Sequence, residues 1–174
     1  MSEPSQSALV VAVPAAEAAV GSHRERFDIS AEWGVPPHIT VLYPFVHPTQ
    51  INEAVLGSIA KAVGAVPRFH AQWRKTAWFD DDVLWLAPEP AAPFRALTTA
   101  VFQAFPDSPP YGGQYEGLAP HLTVGSRGTP DQLRAIERDV LTHLPISMDV
   151  THVQVMCGAH RAGSWRKISD IALG

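Results

Sequence analysis

The sequence predicts a fold that mixes helices with strands in two related lobes facing each other across a cleft. Three observations lead there. The phrase Pro37-His38-Ile39-Thr40-Val41 returns as Pro120-His121-Leu122-Thr123-Val124, 83 positions further on. The order strand, helix, strand, strand runs from residue 38 to 87 and again from 121 to 172, an internal duplication of about fifty residues per copy. Two copies are too few for a solenoid, whereas two lobes around a cleft use both. The length of 174 residues, 46% hydrophobic and 17% charged, suits one compact domain that buries its own core. Residues 1–174 are therefore expected to form a single bilobal domain, with 1–6 as a flexible N-terminus.

The elements follow in order. Residues 7–13 are apolar, Val-rich and stopped by Pro14, as a buried strand would be. Residues 15–27, rich in Ala and charge, read as a helix. Trp33-Gly34-Val35-Pro36-Pro37 is a stiff loop whose prolines deliver residues 38–45 in an extended conformation. Thr49 is placed to cap a helix over 51–63, where Ile51, Val55, Ile59 and Val63 recur every fourth position. Residues 69–79 and 83–87 make two strands joined at the polar turn Asp80-Asp81-Asp82. A helix opens near Pro93 and runs to Phe105, with Phe94, Leu97, Val101 and Phe105 on one stripe. After a loop over 106–119, Pro120 introduces a strand at 121–124. Thr129-Pro130 then starts a helix through His143, striped by Leu133, Ile136, Val140 and Leu144. Residues 146–157 and 165–172 form a last strand pair around the turn 158–163.

Composition excludes several functions. With 13 Lys and Arg against 17 Asp and Glu, the net charge of −4 does not suit gripping a long nucleic-acid tract through a broad basic face. Small or terminal substrates remain open. The single Cys157 forms no intramolecular disulfide and suits a reducing compartment, so a cytoplasmic location is expected. Residues 1–6 lack a positive flank, and the apolar run 8–13 is far too short to span a bilayer, so neither a signal peptide nor a membrane is expected. A monomer is expected, because the apolar stripes are those needed to pack each helix.

The repeated phrase carries the chemistry. Side chains at i and i+2 of a strand share one face, so His38 and Thr40 project together while Ile39 and Val41 turn to the core, and His121 and Thr123 do likewise. Lobes related by an approximate two-fold axis would bring both pairs to one cleft. One neutral imidazole could then take a proton from water or an alcohol, the other as imidazolium could protonate a leaving oxygen, and the hydroxyls could hold the nonbridging oxygens of a phosphodiester. A lone His at a strand start is more often a hydrogen-bonded structural residue, and it is the repetition that argues for catalysis. No carboxylate stands at ligand spacing from either His, so neither a metal nor a cofactor is expected.

These paired His-x-Thr motifs resemble the two-histidine (2H) phosphoesterase superfamily. The flanks Pro36-Pro37-His38-Ile39-Thr40-Val41-Leu42-Tyr43-Pro44-Phe45 and Ala119-Pro120-His121-Leu122-Thr123-Val124 are most similar to its 2′-5′ RNA ligase-like branch. The resemblance spans residues 7 to 173. It implies a bilobal α+β fold with pseudo-two-fold symmetry, antiparallel sheets lining the cleft and helices packed outside. It implies hydrolysis of 2′,3′-cyclic phosphates, or cleavage or ligation of 2′-5′ linkages, on a nucleotide or RNA terminus. His38, Thr40, His121 and Thr123 carry over as the catalytic set. In that branch an Arg that contacts substrate often follows the second motif; here Val124-Gly125-Ser126-Arg127 sets Arg127 at a shifted position as the candidate. Reversible RNA ligation and a noncatalytic phosphate-binding module are the alternatives.

Among aromatic residues in predicted loops and turns, Trp33, Trp78, Phe79, Tyr111 and Tyr115 are candidates to stack on a base, with Tyr111 best placed because its Gly-rich loop leads to His121. Alternation turns Tyr43 away from the His38 face, toward the core or the rim, where it is a further candidate for substrate contact. Arg26, Arg74, Lys75, Arg161 and Arg166 join Arg127 as possible phosphate contacts whose ordinary role is solvated surface charge. His23, His47, His70, His143, His152 and His160 show no partner pattern.

Overall fold

The computed structural model describes residues 3–114, 117 and 119–174. In chain order the elements are β1 (Gln6–Ala12), α1 (Glu17–Phe27), α2 (Ile29–Trp33), β2 (His38–Leu42), α3 (Glu53–Gly64), β3 (Phe69–Phe79), β4 (Val83–Glu89), α4 (Ala92–Ala104), β5 (Leu122–Gly125), α5 (Pro130–Leu141), β6 (Ile146–Val150), β7 (His152–Gly158) and β8 (Arg166–Ala172). They build two antiparallel four-stranded sheets, ordered β2-β1-β7-β8 and β5-β4-β3-β6. Among the described residues no helix is long and apolar enough to cross a membrane.

The two motif strands, β2 and β5, are edge strands in equivalent positions: each pairs only with an inner strand, β1 or β4, that precedes it across a helix. The repeating unit is therefore strand, helix, motif strand, helix, strand. It runs from Gln6 to Phe79 and from Val83 to Gly158, where the last strand is split into β6 and β7, so the copies begin before the motifs. The end of each copy crosses to the other sheet: β3, the third strand of the first copy, joins the β5 sheet, while in the second copy β6 stays in the β5 sheet and β7, which follows it directly, joins the β2 sheet. This corrects the expectation that each motif shares a lobe with the hairpin that follows it. The segment 146–157 is likewise two strands. It breaks at Thr151, where β6 pairs with β3 and β7 pairs with β1 and β8.

Strand β1 shows why the cleft is apolar on one side. Leu9 and Val11 face a main core shared with Ile39, Val41, Phe94, Leu97, Leu122 and Leu133, while Ala8 and Val10 point the other way and pack with Val35, Met156 and Trp165. A strand apolar on both faces is what the sequence of β1 requires, and its second face lines the cleft beside His38. Helix α5 starts as its sequence dictates, with Pro130 in its first turn and a reciprocal capping box between Thr129 and Gln132. Helix α3 is capped by Asn52, whose Oδ1 accepts from Val55 N at 2.9 Å. Thr49 sits instead in a short 3-10 turn, bonded to His47, so α3 begins at Glu53.

Candidate active site

Both motif histidines are held by one device. His38 Nδ1 lies 2.8 Å from Pro36 O, and His121 Nδ1 lies 2.8 Å from Ala119 O. A carbonyl only accepts, so each Nδ1 carries the proton and donates it, leaving each Nε2 lone pair available. Prolines before both histidines keep those segments extended, and Val13 N donates to Pro37 O at 2.7 Å, pinning the first. The two imidazoles are close enough for a charge on His121 to depress the pKa of His38.

The hydroxyls share those faces. Thr40 lies opposite Val10 and Thr123 opposite Trp85, both pairs on the cleft side, while Ile39, Val41, Leu122 and Val124 lie in the main core. Tyr111 joins the two motifs: its hydroxyl shares a hydrogen bond with Thr40, its ring stacks on His121 at 6.4 Å between centroids, and its backbone N donates to Tyr43 O at 2.6 Å. It adopts φ 52°, a left-handed conformation that bulky residues rarely take, and these three ties hold it there.

The surroundings of the histidines differ. Behind His38, the buried Arg24 and Asp28 form an ion pair at 3.1 Å, and Arg24 Nη2 also donates to Ser30 Oγ and Val35 O, each at 3.0 Å. Around His38 and Thr40, the residues Val10, Val35, Trp33, Tyr43, Met156 and Trp165 line a pocket of about 100 Å³. Burial first, and the Arg24 guanidinium second, push the His38 pKa down to about 4. His121 stands among rings, edge-on to Phe79 at 5.0 Å and Trp85 at 6.0 Å. Burial lowers its pKa as well, against the hydrogen bond to Ala119 O. Thr40 and His121 both border a larger cavity of about 680 Å³, lined by α4 on one hand and by Pro109, Pro110, Tyr111, Ala119 and Pro120 on the other.

Of the residues singled out from sequence, His38, Thr40, His121, Thr123 and Tyr111 come together, with Phe79 against His121 and Trp33 in the smaller pocket. Tyr43 joins them against the expectation of simple alternation. The β1–β2 register places Thr40 opposite Val10 but Leu42 opposite Leu9, so Val41 is an extra residue in a β-bulge. The bulge reverses the phase: Leu42 enters the core and Tyr43 returns to the His38 side, its hydroxyl donating to Gln6 Oε1 at 2.8 Å. The same bulge recurs at Val124, where Thr123 faces Trp85 and Gly125 faces Leu84. A Cβ on Gly125 would stand 2.7 Å from Leu133 Cδ2, which explains the glycine.

Two candidates lie elsewhere. Trp78 is on the helix-covered face of β3, donating from Nε1 to Glu137 Oε2 of α5 at 2.8 Å. Past the second bulge, the backbone N of Ser126 and of Arg127 both donate to Phe27 O, which takes Arg127 toward α2, where its guanidinium meets Glu32 at 3.2 Å. Arg26 lies over the Phe27 ring, Arg74 meets Gln72 and Glu89, and Arg166 donates to the carbonyls of Gly163 and Trp165. Tyr115 falls outside the described residues. Sequence reading missed Arg24, Asp28, Trp85, Trp165 and His160, which stacks on Trp33 at 4.7 Å. The i, i+4 spacing of Arg24 and Asp28 was the only available signal, and surface pairs share it. Among the described residues, no group of three or more His, Cys, Asp or Glu is placed to hold a metal ion.

Solved structures share this architecture. Escherichia coli LigT, crystallised with 3′-AMP, is 17% identical with a TM-score of 0.62, covering 98% of this chain and 99% of that one. A structure described as a phosphoesterase is 16% identical with a TM-score of 0.58, covering 98% and 99%. TT0787 of Thermus thermophilus is 13% identical with a TM-score of 0.58, covering 96% and 97%. A search of curated proteins found no match. The family model of the 2′-5′ RNA ligase superfamily matches residues 12–160, which hold both bulged His-x-Thr strands, and the chain belongs to that superfamily of two-histidine phosphoesterases and ligases.

Proposed function

We propose that the protein is a phosphodiesterase that opens 2′,3′-cyclic phosphates on a nucleotide or RNA terminus, with His38 as general base and His121 as general acid. The observation that carries this reading is the pair of imidazoles, each tied through Nδ1 to the carbonyl two residues back, beside two hydroxyls on the walls of one cleft. His38 Nε2 takes a proton from water as the water oxygen bonds to phosphorus. The bond from phosphorus to the 3′ oxygen breaks, and His121 gives its Nε2 proton to that oxygen, leaving a 2′-phosphate. Thr40 and Thr123 donate to the nonbridging oxygens, whose charge grows in the transition state. The roles follow from the surroundings: at neutral pH His38, with its pKa near 4, is an unprotonated acceptor. In this reading the side chains supply both proton transfers, and a bond of the 2′-5′ type presents the same groups to them.

The test is product analysis with purified protein and the four nucleoside 2′,3′-cyclic phosphates, following phosphorus resonances. The expected product is the nucleoside 2′-phosphate. Exclusive 3′-phosphate formation would overturn the assignment of His121 to the 3′ oxygen, and binding of all four without turnover would leave a phosphate-binding module as the function.

A further inference from the structure

The cleft is unequal on its two sides. A phosphoryl group and an attacking water need little room, and the His38 side offers about 100 Å³. The cavity on the His121 side, at about 680 Å³, lies within the range that ordinarily takes a whole small ligand. Phe94 and Phe102 of α4 border it on one side, and Pro109, Pro110 and Tyr111 on the other. Phe102 is 37% exposed, although its helix buries Phe94, Leu97 and Val101. Flat apolar walls suit a ring system, and such stacking is tolerant of which base is present. Arg95 also lines this cavity and is exposed, and among the described residues its guanidinium has neither an ion pair nor a hydrogen bond. An unpaired cation beside an apolar cavity, on a chain of net charge −4, complements an anion attached to a ring.

We propose that this cavity holds the base of the substrate nucleoside and that Arg95 binds the phosphate on its 5′ side. The preferred substrate is then a 5′-phosphorylated nucleotide or the 3′ end of an RNA, rather than a bare nucleoside cyclic phosphate. The proposal rests on the reaction assigned above for its orientation, but it can be read by binding alone. The experiment is calorimetric titration of the protein with adenosine 2′-phosphate and with adenosine 2′,5′-bisphosphate, alongside turnover of the corresponding cyclic phosphates. The bisphosphate should bind about tenfold tighter, as a charge-assisted contact at a partly exposed site provides. The preference should shrink with added salt. Arg95→Gln should bring the ratio close to one, and Arg95→Lys should keep most of it. Equal binding of the two ligands by the wild type, or an undiminished preference in Arg95→Gln, overturns the subsite. Preference in binding without turnover of either cyclic phosphate establishes the subsite and refutes the reaction instead.

Discussion

His38 and His121 sit at the same place in two copies of one unit, yet their neighbourhoods have little in common. The backbone device is shared: an extended segment after proline, an Nδ1 bond to the carbonyl two residues back, and a bulge three residues further on. What differs is everything the two lobes add. The His38 lobe supplies a buried ion pair and a small apolar pocket, whereas the His121 lobe supplies aromatic edges beside a large cavity. Duplication thus fixes where two nitrogens point, and divergence of the surroundings acts on their proton affinities, with His38 pushed down to about 4 and His121 lowered by burial. A pair whose pKa values are set apart populates one arrangement of base and acid over the other, which a symmetric pair leaves to the orientation of the substrate.

The most direct way to break this comparison is to remove each imidazole. His38→Ala and His121→Ala should each lower kcat by about 10²–10⁴-fold, the ordinary contribution of a positioned acid or base. The asymmetry predicts that they part company on a p-nitrophenyl diester, whose leaving group departs without a proton. His121→Ala should recover most of its activity there and His38→Ala should not. Equal loss on both substrates would contradict the assigned roles.

The ion pair behind His38 comes next in size. Arg24→Met leaves Asp28 buried without its partner, and unfolding free energy measured by denaturant titration should fall by about 3–5 kcal/mol. A loss below ~1 kcal/mol would mean that the pair is no more than an incidental neighbour of His38.

The pH profile sharpens the comparison further. In the proposed mechanism turnover requires His38 neutral and His121 protonated. His38 becomes neutral above its pKa of about 4, and His121 loses its proton at a pKa that burial holds below 6.5. The value of kcat/KM should therefore rise up to about pH 4, peak below 6.5, and fall about tenfold per unit above the His121 pKa. Because Arg24 is the second cause of the low His38 pKa, Arg24→Met should move the acid limb upward and leave the alkaline limb in place. An optimum above pH 7 would mean that the imidazoles are not desolvated in the working enzyme.

The motifs, and the face each residue of a motif takes, were legible because a strand's period of two is strict over three residues. Legibility ended where that period is interrupted or survives a change of sheet. Tyr43 reaches the cleft through a bulge at Val41 that no residue type announces. The run from Ile146 to Gly158 contains no Gly or Pro before its end, so its passage between sheets at Thr151 leaves the pattern unbroken. Nothing in the sequence therefore told which hairpin accompanies which motif. Arg24 was hidden for another reason. Helix α1 has a mixed, weakly amphipathic sequence, and only the packing of α2 and the Val35 loop over it turns an ordinary i, i+4 pair into a buried one.

Arg127 gives the smallest effect. It follows the second motif at a position shifted from that of the substrate-contacting Arg the resemblance implies, and the Val124 bulge and the bonds of Ser126 and Arg127 to Phe27 O carry it to Glu32. Both partners of that pair are about half exposed, so it contributes between zero and about 1 kcal/mol. Arg127→Ala should accordingly leave KM for a cyclic phosphate within about twofold of wild type and lower stability by less than ~1 kcal/mol. A tenfold rise in KM would show that Arg127 leaves Glu32 when substrate binds. The second motif would then recruit a cation that the first motif does not have at the equivalent place, where the chain continues through Tyr43 and Pro44.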